Sequence, residues 1–159
     1  MQTKLLPVIL LTTSCYAGAT DIQRSPVEGT KPCTVEAISY QADKEILPYI
    51  EEFSDDAIAY GVSCLKIKDI ILSDNVKAGI AGYCQPGWAV VLSKSVWKNF
   101  SAWERRTLVY HELGHCSLNA EHVADDDLMN IMNPTILPAW IAARHWKDLV
   151  RKLFTETPR

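Results

Sequence analysis

An α+β fold is what the sequence predicts, a small mixed sheet with one helix before it and two after, and three observations carry it. Apolar residues recur at helical spacing over 45–60 and again over 138–154. Between them, over 62–92, the pattern breaks into short runs rich in Val and Ile, separated by turn residues. Finally, 159 residues, 48% of them hydrophobic and 22% charged, make one ordinary globular domain without internal repeats or low-complexity runs. A net charge of −3 leaves no basic face for nucleic acid.

Residues 1–19 read as an export signal peptide. Lys4 supplies the positive end, residues 5–11 the apolar core, and Ala17-Gly18-Ala19 a small-residue cleavage site. The apolar run is too short to span a bilayer, so no transmembrane span is expected. A lipid anchor at Cys15 is the weaker alternative, because Leu11-Thr12-Thr13-Ser14-Cys15 has threonine where a bacterial lipobox usually has a large aliphatic residue. The protein is therefore expected to be exported, periplasmic or secreted, with an outer-membrane lipoprotein as the lesser reading.

Cleavage after Ala19 leaves Cys33, Cys64, Cys84 and Cys116, and four cysteines in an oxidising compartment suggest two disulfides. Three pairings are open. Cys84 with Cys116, leaving Cys33 with Cys64, is the expected one, since a bridge at Cys116 would anchor its helix to the sheet. Residues 20–43 are polar, contain Pro26, Gly29 and Pro32, and read as an extended N-terminal segment before a domain over 44–159.

The first helix is expected over 45–60, with Ile46, Ile50, Phe53, Ala57 and Tyr60 on one stripe, Pro48 in the first turn and Gly61 as the stop. Residues 62–72 then read as a strand with two faces, one carrying Leu65, Ile67, Asp69 and Ile71, the other Lys66, Lys68, Ile70 and Leu72. Ser73-Asp74-Asn75 marks a turn, and 78–84 and 88–92 are two more strands around Gln85-Pro86-Gly87. Three or four strands result. One lying close in sequence to the next helix is expected to edge a cleft, where an extended peptide could add as a further strand.

That next helix begins near 100–103, with Ser101 as N-cap and Glu104 three residues on, a capping box. Val109, Leu113 and Cys116 would face the sheet, and His111, Glu112 and His115 the cleft. Side chains four apart share a helix face, so His111 and His115 can aim ring nitrogens at one ion about 2.0–2.1 Å from each. Glu112 sits on the flank of that face, where it can act as a base without being a ligand. Were the helix unbroken, His122 would lie about 10 Å beyond His115, so the chain must turn back between them. Asn119 is the expected place, because asparagine tolerates the left-handed conformation that ends helices. Glu121, Asp125, Asp126 and Asp127 compete with His122 as third ligand. The acidic run itself reads as a solvated loop, with calcium as a lesser reading.

Asn130-Ile131-Met132-Asn133-Pro134 places a methionine in a turn, locally a buried gap-filler. Residues 138–154 form the last helix, packing through Ala142, Trp146, Leu149, Val150 and Leu153, with His145 at the margin of that stripe.

The order of helix, small sheet, His111-Glu112-Leu113-Gly114-His115 helix, methionine turn and final helix resembles the metzincin clan of zinc endopeptidases, in a compact zincin-like form. Ile131-Met132-Asn133-Pro134 resembles the methionine turn of matrixins. The strict likeness covers 111–134 and the looser one about 45–154. It implies one catalytic Zn2+ held by His111, His115 and His122, Glu112 as general base and Met132 as an apolar floor. The clan pattern HExxHxxGxxH would put glycine at Leu118 and the third ligand at Glu121, whereas Asn119 and His122 each come one residue later. By this likeness the protein is expected to be a monomeric exported endopeptidase that attacks a peptide or protein substrate with zinc-bound water. A cell-wall peptide hydrolase on the same chemistry and a non-catalytic zinc module are the rivals. The intact glutamate speaks against the module.

Overall fold

The computed structural model describes residues 41–62, 68–85 and 89–157. The expected signal segment 1–19, with Cys15, and the cysteines Cys33 and Cys64 lie outside these residues, as does most of the extended segment. The fold is α+β. Among the described residues the elements run β1 (Gln41–Ala42), α1 (Leu47–Ala59), β2 (Asp69–Ser73), β3 (Gly82–Gln85), β4 (Ala89–Ser93), α2 (Lys94–Asn99), α3 (Ala102–Leu118) and α4 (Ala139–Thr155).

The sheet is small and mixed, in the order β1-β2-β4-β3. Three strands carry it, and the two-residue β1 extends it at one side. β1 pairs with β2 and β2 with β4 in parallel, while β3 and β4 are antiparallel. Parallel strands need a crossover; α1 supplies one between β1 and β2. Pairing of β2 with β4 puts β4 inside the sheet, so β3, farther in sequence from α3, is the strand at the free edge.

α1 ends as Gly61 predicted. Gly61 takes φ 77°, its N–H reaches the Ile58 carbonyl, and the Val62 N–H reaches that of Ala57, the paired bonds of a Schellman cap. Ile46, Ile50, Phe53 and Ala57 are fully buried. Tyr60, the last member of the stripe, instead lies at the surface with its ring stacked on Phe154. On the sheet, Ile70, Val90 and Leu92 are buried, while Ile71 points out and is exposed. The parity expected for Asp69–Leu72 is thus met, with β2 spanning Asp69–Ser73; Leu65, Lys66 and Ile67 of the expected strand and Pro86-Gly87 of the expected turn lie outside the described residues.

α3 is buried on nearly every side, since it packs against β3 and β4, α1 and α4. Leu108, Val109, Tyr110 and Leu113 are core residues, and burial of each of the three aliphatic ones contributes about 1.5–3 kcal/mol. The Tyr110 hydroxyl donates to Asp56 of α1 at 2.7 Å. α4 buries Ala142, Leu149, Val150 and Leu153 as expected and leaves Trp146 half-buried against Tyr110. Its backbone departs from helical angles at His145 (φ −120°, ψ 16°), which kinks the helix there. The short α2 was not expected; Ser93 caps it by accepting the Val96 N–H.

Candidate metal centre

The capping box that starts α3 is present in full. The Ser101 N–H donates to the Glu104 carboxylate at 2.8 Å, and the Glu104 N–H to the Ser101 hydroxyl at 3.3 Å. Hydrogen bonds from Ser101 hold the Glu104 carboxyl below its ordinary value. At the other end Asn119 adopts the left-handed conformation (φ 55°, ψ 33°), and the Ala120 N–H donates back to the Gly114 carbonyl at 3.0 Å. The reversal expected at Asn119 thus occurs, and it carries His122 back to the helix face.

Three imidazoles converge. The Nε2 atoms of His111, His115 and His122 lie 3.1, 3.2 and 3.0 Å apart as the pairs 111–122, 111–115 and 115–122. Among the described residues these three form the one group able to share an ion, and neither Glu121 nor Asp125–Asp127 belongs to it. Asp127 is otherwise engaged: its Oδ1 accepts the Met129 N–H and faces Lys152.

The triad fits a tetrahedral N-donor ion. Nitrogens each 2.0–2.1 Å from one ion lie about 3.3–3.4 Å apart at the tetrahedral angle, within a few tenths of what is seen. The remote nitrogens supply a second test. His111 Nδ1 lies 2.8 Å from the Ile131 carbonyl and His115 Nδ1 2.7 Å from that of Ala120. A carbonyl only accepts, so each Nδ1 carries the proton and each Nε2 presents a lone pair. Burial, outweighing its Ile131 hydrogen bond, pushes His111 down to about 4, and burial lowers His115 as well. Both rings are neutral at pH 7, the ligating form.

Glu112 is buried beside the triad, and burial alone pushes its carboxyl up to about 7. The edge strand lies hard against it: a Cβ built on Gly82 would sit 3.0 Å from Glu112 Oε1 and 2.8 Å from Leu92 Cδ2. The Ser93 N–H donates to the Ala81 carbonyl at 2.8 Å, a bonded pair in the β3–β4 register. Bonded pairs alternate along an antiparallel ladder, so the main-chain groups of Gly82 and Cys84 point to the free edge. That edge and the triad line one open cleft of about 930 Å³, together with Val96, Phe100, Leu108, Pro134, Thr135 and Ile136.

Cys84 of β3 and Cys116 of α3 form a disulfide, Cα–Cα 5.4 Å, which ties the edge strand to the helix as the sequence suggested. Met132 is fully buried beneath the triad's helix, against Gly114. His145 stands apart from the three converging histidines. Two contributors escaped the sequence reading, Gly82 and Asn133. A glycine in a run read as strand was the available sign of close backbone approach for the first; nothing local marked the second. No helix among the described residues is long and apolar enough to cross a membrane. Compared with protein-family models, curated proteins and solved structures, the chain matches none.

Proposed function

We propose that this chain is an exported zinc metallopeptidase of metzincin-like design, cutting peptide bonds inside an extended substrate. The observation that carries the reading is the convergence of three Nε2 atoms within 3.2 Å of one another, beside a buried glutamate in an open cleft. His111, His115 and His122 would hold the ion. Zinc held there supplies Lewis acidity, polarising a peptide carbonyl and acidifying water.

The chain's own residues do the rest. Glu112, with its carboxyl raised to about 7 by burial, takes a proton from water and returns it to the leaving amine nitrogen near neutral pH. Main-chain groups of Gly82 and Cys84 bind the substrate backbone as an added strand. The apolar wall of Val96, Phe100, Leu108 and Ile136 receives a side chain and keeps bulk water from the reacting carbonyl. The Cys84–Cys116 disulfide supports an oxidising compartment outside the cytoplasm.

The test is a mixed peptide library with and without chelator, alongside casein and purified cell wall. Glu112→Ala is expected to retain metal and lose cleavage, and His111→Ala to lose both. Full activity in Glu112→Ala would refute the mechanism, and cleavage of wall peptides in place of casein would redirect the substrate.

A further inference from the structure

His122 sits in a loop with no helix or strand to hold it, and its side chain is exposed. Yet its Nε2 lies 3.0–3.1 Å from the two helix nitrogens. What holds that loop is the turn that follows. The Val123 N–H donates to the Met132 carbonyl at 3.1 Å. Asn133, fully buried, donates through Nδ2 to the carbonyls of Asp125 at 3.0 Å and Asp127 at 3.2 Å, while its Oδ1 accepts the Thr135 N–H at 2.8 Å. Both amide protons thus go to the His122 loop and the oxygen goes to the turn. The same turn supplies the Ile131 carbonyl that orients His111.

We propose that Asn133 is a positioning residue for the metal site, its amide clamping the His122 loop to the methionine turn so that the third ligand is set before an ion arrives. The proposal rests on the three-histidine metal reading and is independent of whether the site hydrolyses peptides. A clamp of this kind matters here because Asn119 and His122 leave a six-residue spacer after His115, six residues that contain no regular structure beyond Leu118. Without the amide, two carbonyls would lose their partner and the loop would hold His122 in many orientations.

The experiment is a Co2+ affinity cycle, by competition with a chelating dye, on wild type, His122→Ala, Asn133→Ala and the double variant. Residues that orient ligands typically account for about tenfold or more in metal affinity, and that loss is expected for Asn133→Ala. It should vanish in the His122→Ala background, because a residue acting through His122 has nothing left to act on. A smaller loss, or one that persists without His122, overturns the proposal. Absence of Co2+ binding by the wild type sinks the metal reading and the proposal with it, a result distinct from binding that Asn133→Ala leaves intact.

Should Asn133→Ala not fold, Asn133→Leu keeps the volume, adds no charge and loses both donated bonds, and takes its place in the cycle. Amide exchange on the metal-free wild type needs no variant. The Asn133 side-chain protons are expected to exchange at least about tenfold more slowly than a free amide; exchange at the free rate overturns the clamp.

Discussion

A Cβ placed on Gly114 would lie 2.6 Å from the sulfur of Met132, 3.3 Å from its methyl and 3.4 Å from Leu153 Cδ1. The glycine between His111 and His115 is therefore where the turn docks on the helix. Glycine inside a helix costs about 1 kcal/mol relative to alanine, and here close packing of a fully buried methionine offsets it.

Gly114→Ala removes that propensity cost and creates a clash. Overpacking of a tight core costs about 1–3 kcal/mol, so net destabilisation is expected in denaturant melts. Gly114→Ala combined with Met132→Ala should cost less than the sum of the two single losses, because the shorter side chain vacates the space the new methyl needs. An alanine at 114 that raised stability alone would contradict the docking.

Gly82→Ala tests the approach of the edge strand to Glu112, the base of the proposed mechanism. Its new methyl would press on Leu92 and on Glu112 Oε1, and small displacements of a reacting group cost up to about 100-fold in rate. Catalytic efficiency should fall at least about tenfold, with Co2+ affinity nearly unchanged, since neither neighbour is a ligand. Equal losses in both would show that the strand supports the triad instead.

Replacing Cys84 and Cys116 together by serine opens a bridge spanning 32 residues. A loss of about 2–4 kcal/mol is expected, measured by denaturant unfolding. Adding reductant to the wild type should cost at least as much stability.

Glu104 gives a pH signature. Its carboxyl is held below the ordinary value by the Ser101 hydroxyl and then the Ser101 N–H, against a smaller opposing effect of burial. A depressed carboxyl contributes stability that is full above the unfolded value of about 4.3 and lost as pH falls through the lower folded value. The stability gap between wild type and Glu104→Gln is therefore expected to narrow in urea melts as pH drops from 6 to 3. A gap that widens toward acid would reverse the sign.

What could be read from the chain in advance was whatever rests on neighbours in sequence. Ser101 with Glu104, His111 with His115, Asn119 and Gly61 each act over one turn, and each does in the fold what its spacing implied. His122 was different. Its rivals Glu121 and Asp125–Asp127 have equally suitable donors, and only the path of the loop separates them. That path is set by Asn133 across six to eight residues and by Val123 across nine, distances over which no periodic pattern speaks. α2 was missed for the opposite reason: six residues are too few to show a helical stripe. At 78–81 the strand expectation failed because Gly79 takes φ 84°, a conformation that interrupts an extended chain.

The bridge from Cys84 to Cys116 joins one lip of the mouth to the shaft that carries two of the three donors. That lip cannot swing outward unless the shaft tilts with it. Any outward displacement of β3 would thus drag α3 along, so the width of the cleft at that strand is coupled to the tilt of the helix bearing His111 and His115.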